Sequence, residues 1–222
     1  MSMIDFAQAR RMMVDSQLRT FDVNDIPLLD AMQTVPRERF VLPGREELAY
    51  IDQDLLVNEG AERRFMLAPM ILGRMVQALE TEPGMKVLDV ACGLGYSSAI
   101  LAELGSRVTA LESTEALANA ARERLASVGA RSVEVVAGPL DQGYEANAPY
   151  GAILVNGAVD VTPDGLLRQL ADGGRLVCVR GRGRSARATL YVKAGDSYGQ
   201  RSIFDAAAPL LQAFETEQGF VF

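Results

Sequence analysis

The stretch from Val87 to Ser98 has the residue types and spacing of a ligand-holding turn. An apolar run ends in Asp89, small residues follow at Ala91, Cys92, Gly93 and Gly95, and a helical pattern opens near Ser97. Glycine lets the backbone approach a ligand, and a helix N-terminus offers unpaired N–H groups to negative charge. A second apolar run, Val108–Glu112, ends in a carboxylate about twenty residues after the glycines, the interval at which parallel-sheet proteins accept ribose hydroxyls. Dinucleotides and S-adenosylmethionine are held by the same logic. Here the spacing is Asp-x-x-x-Gly-x-Gly and the third glycine of Gly-x-Gly-x-x-Gly is absent, which favours adenosylmethionine over a nicotinamide cofactor.

Such a turn needs a strand before it and a helix after it. From residue 87 onward short apolar runs alternate with helical stretches, predicting strands at Val87–Val90, Val108–Glu112, Val133–Ala137, Ala152–Asn156 and Arg175–Val179. Helices are predicted to start near Ser97, Thr114 and Pro163. That order implies an α/β, Rossmann-like fold, a mostly parallel sheet with helices on both faces. Upstream, Ile4, Ala7, Arg11, Val14 and Leu18 predict a helix over residues 4–20, and a second follows the cap candidate Asp25 and stops before Pro36. Residues 37–60 read as loop with short extended pieces. A helix after Pro69 carries Leu72, Met75, Val76 and Leu79 on one face. The tail, 188–193 and then 203–222, is expected to supply edge strands. One domain spans 1–222, with a helical, substrate-side annex (1–83) and a cofactor-binding core (84–222).

Composition narrows the chemistry. A net charge of −7 repels phosphate backbones, so nucleic acid is not an expected partner. With no histidine and only Cys92 and Cys178, no Cys/His metal site and no Ser-His-Asp triad is expected. Cys92 reads as a small packing residue. No signal peptide or membrane span is read, so a cytoplasmic location is expected. Arg63-Arg64 suits recognition of an anionic group or is a solvated loop. The run Arg180–Arg187 either steers an anion or is a basic hairpin.

Arg11–Leu18, Leu29–Val41 with its Val-Pro-Arg-Glu-x-Phe-Val element, Ala49–Asp52, Val87–Ser98, Ala148–Ile153 and Leu166–Val177 together resemble the protein-L-isoaspartate O-methyltransferase family. The resemblance runs from about residue 11 to the C-terminus. It implies a methyltransferase fold, S-adenosylmethionine or its product S-adenosylhomocysteine as ligand, and methylation of the L-isoaspartyl carboxylate of damaged protein. An isoaspartyl carboxylate is already ionised at neutral pH, so no general base is required. The resemblance places Asp89, Ala91, Cys92, Gly93, Gly95 and Glu112 on the cofactor, Ala91 and Cys92 through their backbone. Pro139 and Leu140 fall on its adenine side.

Three positions depart from the family pattern. Leu67 stands where the family carries a serine hydroxyl just before the helix that starts at Pro69, and leucine donates no hydrogen bond. Ala91 replaces the first loop glycine, which is tolerable at negative φ. Gly138-Pro139-Leu140 replaces Gly-Asp-Gly, and Asp141 takes over from the lost aspartate only if the loop is re-routed. The substrate wall is expected at Arg64, Leu67 and Asn156, with no catalytic residue assigned. The expectation is a cofactor site kept in altered form beside a remodelled acceptor pocket. The acceptor is a protein or peptide carboxylate or a small molecule, which Met66 and Leu67 would suit if apolar. The alternative outside enzymology is a non-catalytic scaffold.

Overall fold

The structure, a computed structural model, describes residues 4–216. Its first helix is α1 (Phe6–Met13), capped by Asp5. The predicted 4–20 helix then departs from α geometry: Val14–Leu18 form a π turn and Arg19–Phe21 a 3-10 turn. This change of winding rotates the inward face, so Met13, Val14 and Leu18 are buried while Ile4, Ala7 and Arg11 face solvent. Helix α2 (Ile26–Thr34) starts where expected, with the Asp25 side chain accepting from Leu28 N at 2.8 Å.

The stretch read as loop contains 3-10 turns and one strand of a hairpin, β1 (Leu55–Asn58), which pairs antiparallel with β2 (Arg64–Met66). Asn58 closes its turn, donating to the Glu62 carbonyl and accepting from Gly60 N. Helix α3 (Pro69–Leu79) buries Leu72, Met75, Val76 and Leu79. Its Gly73 lets the annex pack closely, since a Cβ there would lie 3.0 Å from Leu18 Cδ2.

The core elements follow in alternation: β3 (Lys86–Val90), α4 (Tyr96–Glu103), β4 (Arg107–Glu112), α5 (Glu115–Ser127), β5 (Glu134–Ala137), β6 (Tyr150–Val159), α6 (Asp164–Leu167) and β7 (Leu170–Arg180). Two further strands, β8 (Arg187–Ala194) and β9 (Ser197–Asp205), complete a seven-stranded sheet of order β5-β4-β3-β6-β7-β8-β9. The first five strands are parallel and the last two antiparallel. The sheet is the expected Rossmann-like one, but its second edge strand begins at Ser197 rather than Ile203, and residues 217–222 of the predicted tail lie outside those described.

Side-chain alternation along the strands divides the core. Val87, Ala110, Leu154 and Val177 face the annex with α3, α4 and α5, whereas Leu88, Val90, Ile153 and Leu176 pack toward α6 and a 3-10 turn at Gln212–Phe214. Strand order reverses at β3, which pairs with β4 on one side and β6 on the other. Crevices beyond strand ends at such a reversal are where open α/β sheets bind ligands. On the β6 side the register with β7 slips between Leu154 and Ala158, leaving Asn156 outside the ladder with β7 at the mouth of that crevice.

Among the described residues, no helix is long and apolar enough to cross a membrane.

Candidate cofactor and acceptor site

Asp89 sits at the end of β3 with no exposure to solvent. Its carboxylate accepts from Ser97 Oγ at 2.7 Å, Ser98 Oγ at 2.5 Å and Asn156 Nδ2 at 2.6 Å. Burial pushes its carboxyl up to about 6, against the pull of those three donors. Asp89 therefore braces the turn from beneath, joining the start of α4 to the free end of β6. Ser97 and Ser98 had no assigned role in the sequence, although their spacing behind Asp89 brings them under it within one helical turn.

The turn itself runs through left-handed backbone at Ala91 (φ 57°), Gly93 (φ 59°) and Gly95 (φ 96°). Negative φ, the condition under which the sequence made a methyl at Ala91 tolerable, is not met. The Ala91 methyl is accommodated in the left-handed region and packs into the core on the α6 side. Gly95 is constrained by packing, since a Cβ there would lie 2.9 Å from Leu125 on α5. Gly93 presents its bare face to the β1–β2 hairpin, where an added Cβ would come 3.1 Å from Val57. Cys92 is buried, and desolvation holds its thiol well above the usual range, as befits a packing residue.

Glu112 reaches the same place from the end of β4. Its Oε1 accepts from Gly93 N at 2.7 Å and its Oε2 from Ser113 N at 3.0 Å. The turn and the carboxylate anticipated from sequence are thus in direct contact. Burial raises the Glu112 carboxyl, and the Arg64 guanidinium opposes that shift most strongly. Arg64, expected on the substrate wall, is found instead on this carboxylate. Its Nε donates to both oxygens at 3.0 and 3.2 Å, and its Nη2 to Glu62 Oε2 at 2.9 Å and Ser113 Oγ at 2.8 Å. Arg63 is exposed.

The loop expected on the adenine side follows β5 directly. Gly138 N donates to the Glu112 carbonyl at 2.8 Å, Pro139 is exposed, and Leu140 turns inward to the core. The Leu140 side chain therefore packs in the core. Asp141 is fixed locally, its side chain accepting from Gln142 Nε2 and its carbonyl lying where a Cβ on Gly165 would meet it at 2.2 Å.

Leu67, Phe65, Phe40, Tyr96 and Asn156 converge on a cavity of only about 10 Å³ beneath the hairpin. Leu67 is buried and its carbonyl accepts from Arg37 Nη2 at 2.7 Å, while Arg37 Nε donates to the Ala49 carbonyl at 2.7 Å. Arg37, part of the Val-Pro-Arg element, thus anchors the acceptor wall from behind, a role no sequence signal disclosed. A roomier groove of about 520 Å³ lies between the hairpin and α5, bordered by Thr114, Leu117 and Arg124. Val57 and Leu94 line both spaces.

The basic run is a β7–β8 hairpin in which two of the four guanidinium groups are paired with carboxylates. Arg182 bridges Asp160 and Glu215, Arg187 pairs with Asp205 at 2.9 Å, and Arg180 donates to Thr162 Oγ1. Paired in this way, Arg182 and Arg187 are poorly placed to steer an anion.

Residues 9–206 match the family model described as protein-L-isoaspartate(D-aspartate) O-methyltransferase (PCMT). A protein-L-isoaspartate O-methyltransferase of Methylorubrum populi is 43% identical over 175 residues, covering 79% of this chain and 80% of that one. One from Picosynechococcus sp. is 42% identical over 168 residues, 76% of this chain and 74% of that one. A solved protein-L-isoaspartate O-methyltransferase superposes with a TM-score of 0.80 at 22% identity, over 90% of this chain and 65% of that chain. A Plasmodium falciparum structure in complex with S-adenosyl-L-homocysteine does so with a TM-score of 0.75 at 19% identity, over 92% of this chain and 98% of its own. These structural likenesses carry the fold, and the sequence matches carry the family: the chain belongs to the protein-L-isoaspartate(D-aspartate) O-methyltransferase family of S-adenosylmethionine-dependent methyltransferases.

Proposed function

We propose that this protein transfers the methyl group of S-adenosylmethionine to a carboxylate of a protein or peptide, the L-isoaspartyl carboxylate its relatives are named for being the first acceptor. The observation that carries this reading is the Glu112 carboxylate held against Gly93 N–H at the sheet's reversal point. It sets a hydrogen-bond acceptor suited to ribose hydroxyls beside a glycine face and the N-terminus of α4, suited to a carboxylate.

When bound, S-adenosylmethionine supplies an electrophilic methyl group on a sulfonium. The chain's own part is placement. Asp89, pinned by Ser97, Ser98 and Asn156, keeps the turn in its left-handed conformation. Arg37 fixes the Leu67 backbone, and Phe40, Phe65 and Leu67 exclude water from the acceptor side. Because the acceptor carboxylate is already ionised, alignment and desolvation are the tasks left to the protein, and neither needs a histidine.

Leu67 favours a second reading, transfer to a less polar acceptor. A carboxylate facing leucine loses hydration without gaining a donor. The test is methyl-ester formation on an isoaspartyl peptide and on its aspartyl twin, for the wild type and Leu67→Ser. Ester on the isoaspartyl peptide alone, raised about tenfold by Leu67→Ser, is expected if one charged-acceptor hydrogen bond is restored. No ester from either protein, while other acceptors are methylated and that activity falls in Leu67→Ser, would put the second reading first.

A further inference from the structure

The carboxylate assigned to the cofactor's ribose is already saturated from within the chain. Two carboxylate oxygens offer about four acceptor positions. On Glu112, Gly93 N and Ser113 N take one each, and Arg64 Nε bridges to both oxygens at 3.0 and 3.2 Å. A ribose diol needs two positions, and Arg64, the side-chain donor among these, is the group that would have to yield them.

The hairpin that carries Arg64 also covers the turn. Val57 of β1 lies over the bare face of Gly93, and the space beneath it amounts to about 10 Å³. That volume accommodates about one water molecule, whereas a small-molecule site takes about 300 Å³ or more. The 520 Å³ groove on the other side of Val57 and Leu94 would join this cavity if the hairpin lifted. Glu62 and Ser113 hold the far end of the guanidinium. The hairpin is tied to α3 through Asp54, whose Oδ1 accepts from Ala68 N at 2.8 Å, which anchors its base independently of Arg64.

Resting on the reading of Glu112 as the ribose acceptor, we infer that β1–β2 is a lid and Arg64 an internal competitor for the cofactor's place. In the free protein Arg64 compensates the buried Glu112 charge and keeps the cleft shut. Cofactor binding exchanges Arg64 for the ribose hydroxyls, so the apparent affinity is the intrinsic affinity reduced by the fraction of protein with the lid released.

The test is titration of the full chain with S-adenosylhomocysteine by calorimetry, together with hydrogen exchange of the hairpin amides without ligand. Arg64→Met keeps the aliphatic stem and removes every donor. It is expected to tighten binding at least tenfold and to speed exchange in the hairpin at least tenfold. Glu62→Gln leaves Arg64 and Glu112 in place, weakens only the 2.9 Å pair that Glu62 makes with Arg64, and changes a side chain that is only partly buried. It should move both readouts the same way by a few-fold, and it keeps the test open if Arg64→Met folds poorly. Binding by the wild type that is unchanged or weakened in both variants would overturn the lid and leave the cofactor site standing. Absence of saturable binding in all three proteins would overturn the cofactor site itself, and the lid with it.

Discussion

Asp89 carries a charge that the fold holds at a disadvantage. Its carboxyl titrates at about 6 in the folded chain, above the usual range, so between about pH 4 and pH 6 the folded state binds more protons than the unfolded one. Linkage then fixes the sign: stability contributed by this group is complete below about pH 4 and is lost as pH rises through 6. Urea denaturation of the wild type and Asp89→Asn at several pH values should show the wild type losing on the order of 2–3 kcal/mol relative to the variant across that window. An equal pH dependence in the two proteins would remove Asp89 as the buried titrating group. Gly95 is subject to a different constraint, φ 96° together with Leu125 at 2.9 Å from the position of an added Cβ. Gly95→Ala is expected to cost about 2 kcal/mol or more by the same denaturation assay, from backbone strain and overpacking together. At this scale the sequence disclosed Asp89, Gly93 and Glu112, because a strand end, a glycine turn and a second strand end are local patterns. It did not disclose the Arg64–Glu112 pair. The partners are 48 residues apart and only the tertiary fold brings them together.

At the scale of elements, legibility followed length and periodicity. Helix α3 was readable because its buried positions repeat at helical spacing, and β3 and β4 because each is a short continuous buried run. The β1–β2 hairpin was not, since strands of four and three residues carry too little pattern to stand out from loop. Strand β9 was misplaced for another reason: its first six residues are exposed at a sheet edge, so no apolar alternation marks them. The annex is held to the acceptor wall by Arg37, whose full burial and two carbonyl partners make it a strut between the Val-Pro-Arg turn, Ala49 and Leu67. Arg37→Met should destabilise the protein by about 2–4 kcal/mol, the range for leaving two buried carbonyls without charged donors. Thermal denaturation checks this, and a shift within experimental error would show the strut to be dispensable.

The whole molecule joins an annex and a sheet so that the site lies where they meet. The sheet contributes the turn, Asp89, Glu112 and Asn156 from strand ends on either side of the reversal at β3. The annex contributes the hairpin, Leu67 and the strut beneath it. Departures from the family pattern fall on both sides of this division, Ala91 and Pro139-Leu140 on the sheet and Leu67 in the annex, and the segments that carry the resemblance also come from both. The claim on which the rest depends is that Glu112 is the cofactor's anchor. Calorimetric titration of the wild type and Glu112→Gln with S-adenosylhomocysteine tests it most directly. One site per chain in the wild type, weakened at least tenfold in Glu112→Gln, is the expected result. Equal affinity in the two proteins, or no binding to the wild type or to Arg64→Met, would contradict it.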